Sequence, residues 1–463
     1  MSRSHNKLPS NRIFFFSLCL LIATSLVAYR LFRLTIVGHA EYKEIAENQQ
    51  KMISIESLNK RGNIFAIDRS IGEKKLLAVS QKNERHYPLG LFAAQTLGFV
   101  GFHGYQRVGQ YGVEGYYDDV LKGQDIVLTL DPNIQSYAEA TLNALLKRWS
   151  SPSGTIIVED PATGAIFAMT SSPSFDPNRY GDFSLDKFIN PAVQEQFEPG
   201  SSFKPVTMSA AIDSGAVTPA TTYDDTGVVT IGGYTIKNFN EKANGIQTMA
   251  QVLEHSLNTG TIFAQRKTGD DKFLNYVVGF GFGQKTGVDL AGEASGNISN
   301  LYQGRAINFA TASFGQGIAV TPLQLINAYA AIANGGRLMK PYILADAKPT
   351  VLGAPITEKT AAQLKTMLVN VVDRGFDKAR IKGYDVAGKT GTAQIPDAKG
   401  GYLEDKQFIH NFVGFAPAYA PRFVILIKMD KPKGITFAAD SLSPVFGDLA
   451  QFLIRYFKIP PTR

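Results

Sequence analysis

Three patterns of apolar residues divide this chain. Ile13 to Tyr29, IFFFSLCLLIATSLVAY, is an uncharged apolar run long enough to cross a bilayer as one helix. Further on, period-two alternation and short apolar runs bounded by turn residues predict strands. These are RGNIFAID, the strand in LKGQDIVLTLD, Thr155 to Val158 and Ala165 to Met169 on either side of Asp-Pro-Ala-Thr-Gly, DVAGKTGTAQI, and the two runs of FIHNFVGFAPAYAPRFVILIKMD around a Pro-rich turn. Between them, apolar residues three and four apart predict helices in PNIQSYAEATLNALLKRW, SSFKPVTMSAAIDSG, TMAQVLEHSLNTGTIFAQRKTG and TPLQLINAYAAIANGG, and again at the end in SPVFGDLAQFLIRYF. Asp131-Pro132 supplies a start signal and the closing glycines supply stops. Strands at both ends with helices between them predict an α/β domain whose antiparallel sheet joins distant segments.

At 463 residues the chain has room for more than one domain, and 44% apolar with 19% charged content describes a globular protein. Arg3, Lys7 and Arg12 precede the apolar run without an acidic residue, which predicts an uncleaved anchor with a cytoplasmic N-terminus. Arg30 and Arg33 on the far flank pull the other way, and no A-x-A cleavage site follows. The net charge of +7 is spread along the chain, with no basic stripe interleaved with aromatics, so nucleic acid is not an expected partner. Cys19 is the single cysteine, which rules out an intrachain disulfide. The six histidines are scattered without metal-ligand spacing, so neither a metal nor a cofactor is expected.

One stretch, GYDVAGKTGTAQIP from Gly383, carries two incompatible motifs. Gly383 to Thr390 spells G-x-x-x-x-G-K-[ST], the pattern of a nucleotide P-loop, and Lys389 to Thr392 spells K-T-G-T. A P-loop needs a buried strand before it and a helix after it, because the helix N-terminus holds the phosphates. Charged DRGFDKARIK precedes this match and GTAQIP follows it, so the nucleotide reading is set aside.

The K-T-G reading depends on company. K-T-G occurs at Lys267, Lys285 and Lys389; S-x-x-K starts at Ser4, Ser57, Ser184 and Ser201; S-x-N starts at Ser4, Ser57, Ser256 and Ser295. Context selects one of each. Ser201-Ser202-Phe203-Lys204 opens a helix, where free N–H groups favour developing negative charge and Lys204 lies on the same face, within reach of the Ser201 hydroxyl. Ser256-Leu257-Asn258 follows a helical stretch, and only Lys389 to Thr392 sits in a strand pattern.

With these blocks in order, the sequence resembles the class B penicillin-binding proteins, the monofunctional D,D-transpeptidases of bacterial cell-wall synthesis. RGNIFAIDRS, YGVEGYYDDVLKGQD, DPATGAIFAMTSSPSFDPN, FEPGSSFKP, FGFGQKTGVDLAGEASG, FGQGIAVTPLQLINAYAAIANGG and GYDVAGKTGTAQ carry the likeness, the last four leaning to the septal branch over the side-wall elongation branch. Only IGEKKLLAVSQKNE stands where the family has a long pedestal, so the pedestal is expected to be reduced. The resemblance implies a penicillin-binding-protein/serine β-lactamase-like domain, an antiparallel sheet flanked by helices plus a helical subdomain. Expected divisions are a cytoplasmic tail at 1–12, an anchor at 13–34, the reduced pedestal at 35–120 and the transpeptidase domain at 121–463.

It further implies that Ser201 is the nucleophile, Lys204 its base, Ser256 a proton relay and Asn258 a substrate positioner. Lys389, with Thr390, Gly391 and Thr392, would bind the substrate carboxylate, and the Ser201 and Thr392 N–H groups would form an oxyanion hole. Expected partners are peptidoglycan stem peptides, β-lactams, a membrane glycan polymerase of the SEDS family and division proteins. A D,D-carboxypeptidase or β-lactamase is the chemical rival. Glu293-Ala-Ser-Gly-Asn297 fits a β-lactamase E-x-x-x-N spacing, but lies in a transpeptidase block and is expected to be structural. A catalytically silent scaffold is the rival of another class.

Overall fold

The computed structural model describes residues 10–43, 45, 61–81, 84–104, 106–239, 241–375, 377–395, 401–402 and 407–463. The motif copies at Ser4 and Ser57, and the tail cations Arg3 and Lys7, lie outside them. The chain divides into two compact units, Met1–Ser57 with Phe102–Arg107, and Leu58–Gly101 with Val108–Arg463. In the first, the apolar run forms helix α1 (Ser10–Phe32), which passes into a π-helical turn at Arg33–Val37. Phe14–Val37 is long and apolar enough to cross a membrane, ending three residues beyond the expected anchor. Two of its hydroxyls suit such a setting: those of Thr24 and Thr35 donate to the Leu20 and Leu31 carbonyls at 2.9 and 2.7 Å.

The second unit begins with a small sheet of order β3-β2-β1-β4, built from β1 (Ile64–Asp68), β2 (Glu73–Gln81), β3 (Glu84–His86) and β4 (Ile126–Leu128). Beneath it lies a buried charge cluster. Glu114, fully buried, accepts from Arg61 Nε at 2.8 Å, Arg85 Nε at 2.7 Å and the Tyr87 hydroxyl at 3.1 Å, while Arg61 also reaches Asp118 at 2.7 Å. The region then ties into the larger domain through Asp289, which accepts from the Tyr117 hydroxyl at 2.7 Å and from the Ile343 and Leu344 N–H groups at 2.7 and 2.9 Å.

That domain is organised on a five-stranded antiparallel sheet. Its strands are β5 (Ser153–Glu159), β6 (Ile166–Ser172), β11 (Ala387–Gln394), β12 (Phe408–Ala416) and β13 (Phe423–Asp430), in the order β11-β12-β13-β5-β6. The sequence pattern dictates its two faces. Ile156, Val158, Ile425 and Ile427 pack with Leu142 of α2 (Pro132–Arg148) and Phe446 of α8 (Ala438–Tyr456). Their alternating neighbours Ile157, Val424 and Leu426 join Leu325 and Ile326 of α6 (Pro322–Ala333) in the opposite core. Period two in the strands thus buries both faces under helices. As expected, Asp131 caps α2, accepting from Asn133 and Ile134 N–H.

The helical side carries α3 (Lys204–Asp213), short strands β7 (Thr222–Asp225), β8 (Val228–Ile231), β9 (Tyr234–Lys237) and β10 (Gly245–Thr248), then α4 (Met249–Glu254) and α5 (Asn258–Thr268), with α7 (Glu358–Asn370) later in the chain. The stretch read as one helical segment from Thr248 to Gly269 is two helices, α4 and α5, broken at Ser256.

Candidate active site

Three segments from distant parts of the sequence meet in one cleft of about 1670 Å³, whose lining includes Ser201, Ser256, Asn258, Thr390 and Thr392. Ser201 lies in a 3₁₀ turn, Gly200–Phe203, that runs directly into α3. Gly200 has φ +58°, and a Cβ there would come within 3.1 Å of Ala393 Cβ. Glycine therefore allows the serine turn to lie against β11. Gly391 serves the same approach from the other side: a Cβ on it would meet the Pro199 carbonyl oxygen at 2.4 Å and Asn411 at 2.5 Å. Asn411 of β12 fixes the arrangement by donating to that carbonyl at 3.0 Å. The glycine of K-T-G thus keeps strand and serine together and does not itself line the cleft.

Ser256 occupies an unusual backbone position, φ +56°. Its N–H donates to the Leu253 carbonyl at 3.2 Å and the Leu257 N–H donates to the Val252 carbonyl at 2.9 Å. That pair of bonds is the Schellman closure of α4, with serine in the left-handed position that glycine usually takes. The helix thereby ends early and α5 restarts at Asn258. A strained non-glycine residue at this point belongs to the class of outliers that cluster at functional sites.

Two lysines converge on Ser256. Lys204 is fully buried, and its Nζ donates to the Ser256 carbonyl at 2.5 Å and to Ser256 Oγ at 3.2 Å. Lys389, also fully buried, donates from Nζ to Ser256 Oγ at 3.0 Å and to the Thr390 carbonyl at 3.3 Å. Helical spacing puts Lys204 on the Ser201 face, and the hydrogen bonds of its Nζ go to Ser256. Burial, and then the charge of Lys389, hold Lys204 well below the ordinary lysine range. Burial alone brings Lys389 down to about 7. A neutral amine has two N–H groups and one lone pair. With both N–H groups committed to Ser256, Lys204 keeps the lone pair that a general base needs.

Asn258 donates from Nδ2 to the Lys237 carbonyl at 2.9 Å, leaving its amide oxygen and second N–H for a cleft occupant. The Thr392 hydroxyl oxygen accepts from the Ala438 N–H at 3.0 Å, so this side chain also anchors the start of α8. Thr390 is buried beside Lys389 and borders the cleft.

The motif copies at Lys267, Ser184 and Lys285 resolve as local structure. Lys267 ends α5, Ser184 lies in an exposed 3₁₀ turn, and Lys285 precedes a loop gripped by Glu293, which accepts from Thr286 N–H at 2.6 Å and Gly287 N–H at 3.0 Å. Glu293 is therefore a loop clamp and does not line the cleft. The residues before Gly383 form π- and 3₁₀-helical turns, not the strand a P-loop requires. Asn411 was not anticipated, because an asparagine within an apolar strand carries no local signal of its distant partner.

The arrangement sets a serine hydroxyl against two buried lysines. The penicillin binding protein transpeptidase domain matches residues 154–451, and the chain belongs to that family. It is 32% identical to stage V sporulation protein D of Bacillus subtilis, in an alignment covering 93% of this chain and 74% of that one. It is 30% identical to the probable peptidoglycan D,D-transpeptidase PbpC of Pseudomonas aeruginosa, covering 82% of this chain and 71% of the relative. Penicillin binding protein 3 of Mycobacterium tuberculosis, solved in complex with aztreonam, superposes with a TM-score of 0.77 at 30% identity, covering 88% of this chain and 98% of that structure.

Proposed function

We propose that this protein is a peptidoglycan D,D-transpeptidase that forms an acyl-enzyme on Ser201 and is inhibited by β-lactams. The observation that carries this reading is the convergence of buried Lys204 and Lys389 on one hydroxyl, Ser256 Oγ, in the cleft that Ser201 lines. Ser201 Oγ attacks the penultimate D-Ala carbonyl while its proton passes to neutral Lys204. Ser256 relays that proton to the leaving D-Ala nitrogen, and the peptide bond breaks. A neighbouring stem's amine then attacks the acyl ester, restoring the serine hydroxyl and forming the cross-link. Base catalysis of this kind typically contributes about 10²- to 10⁴-fold. Lys389, Thr390 and Thr392 hold the substrate carboxylate, Gly391 permits their approach, and Asn258 orients the substrate amide. The Ser201 and Thr392 N–H groups stabilise the oxyanion, each donor typically contributing roughly 3–4 kcal/mol.

Around this centre we place a cytoplasmic tail at 1–12, a single-pass anchor at 13–34, a reduced pedestal at 35–120 and the catalytic domain at 121–463, facing outward from the plasma membrane. A membrane glycan polymerase of the SEDS family and division proteins are the proposed partners, in septal synthesis. The test uses the full chain in detergent with a fluorescent penicillin. A long-lived adduct that Ser201→Ala abolishes supports the assignment. No labelling of the parent chain would sink it, and rapid release would point to a β-lactamase. A tagged copy accumulating along the side wall would remove the septal assignment alone.

A further inference from the structure

Behind the Ser256 turn lies a buried carboxylate outside the catalytic set. Asp225, at the end of β7, is 1% exposed. Its oxygens accept from Thr259 Oγ1 at 2.6 Å, from Asn238 Nδ2 at 2.9 Å on both sides, from Asn244 Nδ2 at 2.5 Å and from the Gly227 N–H at 3.0 Å. Asn238 Oδ1 in turn accepts from the Thr259 N–H at 3.2 Å. These donors are uncharged, and they come from the start of the β8–β9 hairpin, its end, the segment before β10 and the first turn of α5. Burial opposes ionisation, but the bonds from Thr259, Asn244, Gly227 and Asn238 outweigh it and hold the carboxyl below its usual range.

The network grips the immediate neighbours of the residues assigned to chemistry. Asn238 follows Lys237, whose carbonyl holds Asn258. Thr259 follows Asn258 and lies three residues after Ser256. The left-handed Ser256 is thus fixed from one side by the closure of α4 and from the other by this clamp. An amide at position 225 could not replace the carboxylate, because its NH₂ would face the NH₂ groups of Asn238 and Asn244. A negative charge at the start of α5 also suits the helix dipole.

We propose that Asp225 is a positioning residue for acyl transfer: through Asn238 and Thr259 it sets the path of the Ser256–Asn258 turn and so keeps Ser256 Oγ between Lys204 and Lys389. This rests on the roles given to Ser201, Ser256 and Asn258 above. Loosening the clamp lets the strained turn relax. The hydroxyl then leaves the lysine pair, and the environment that keeps Lys204 neutral changes with it.

The test is stopped-flow acylation of the full chain in detergent by a fluorescent penicillin, across pH, with the number of titratable sites measured in parallel. Asp225→Asn and Thr259→Val should acylate about 10- to 100-fold more slowly per titratable site. The midpoint of the acid limb should move, and Thr259→Ser, which keeps the hydroxyl, should restore the parent rate. Fewer sites with an unchanged rate per site would mean a role in folding only and overturn the proposal, as would an unchanged rate with full occupancy. If Asp225→Asn fails to fold, the contrast between Val and Ser at position 259 decides. Ser201→Ala separates the two claims. Residual labelling there overturns the catalytic assignment, whereas silence there with normal Asp225 and Thr259 variants overturns only the clamp.

Discussion

Lys204 and Lys389 illustrate how burial at single residues is converted into chemistry. Part of what holds Lys204 well below the ordinary lysine range is the charge of Lys389, second to burial itself. In Lys389→Ala the repulsion disappears, the Lys204 pKa rises, and the amine proposed as base becomes neutral only at higher pH. The acid limb of the acylation profile is therefore expected to shift to higher pH, with a rate loss of at least ~10-fold from the missing charged hydrogen bond. An unmoved limb would show that the two amines do not interact. Glu159 poses the opposite case. It is fully buried, neither carboxylate oxygen has a hydrogen-bond partner, and burial, with a smaller contribution from Asp160, pushes its pKa well above the usual carboxylate range. The unfolded chain ionises this group first, so the stability it contributes is complete below the unfolded value near 4.5 and declines as pH rises towards the folded one. Glu159→Met is expected to stabilise the protein by about 1–3 kcal/mol. Denaturant titrations at pH 5 and pH 8 should show the larger gain at pH 8; equal gains would indicate that Glu159 is ionised in the fold.

At the level of elements, the approach of β11 to the Ser201 turn depends on one missing side chain. Gly391→Ala would press a methyl group against the Pro199 carbonyl and Asn411, costing about 1–3 kcal/mol in denaturant titration. Displacing the strand should also reduce acylation about 100-fold. Normal acylation would show that the strand and the turn can separate without consequence. Elements of this kind were legible in the chain: period two gave the central strands, the three-to-four spacing gave the helices, and Asp131-Pro132 gave the start of α2. The three motifs assigned to chemistry were legible only jointly, since each also occurs elsewhere in the chain. The break at Ser256 was hidden because serine carries no left-handed signal and the apolar rhythm continues through it. Asn411 and Asp225 were hidden for another reason. Their meaning lies in partners far away in sequence, and local pattern cannot register a contact between Pro199 and a strand more than two hundred residues later.

For the molecule as a whole, the Arg61–Glu114–Arg85 cluster is the buried polar centre of the region before the catalytic sheet. Glu114→Ala would leave two buried guanidinium groups without their shared carboxylate, and removing one partner of a buried ion pair typically costs about 3–5 kcal/mol. Thermal unfolding of the full chain in detergent should register that loss; a change below ~1 kcal/mol would place the cluster with solvent-screened surface pairs. The lysine that burial brings down to about 7 has a consequence on the same scale. Near neutral pH, Lys389 carries its proton only part of the time, and an anionic ligand seated against it would draw that proton on. Filling the cleft should therefore take up a fraction of a proton per chain from the buffer near neutral pH. The apparent heat of binding would then differ between buffers according to their own heats of ionisation, so that the solution's reservoir of protons becomes a silent second substrate of the site.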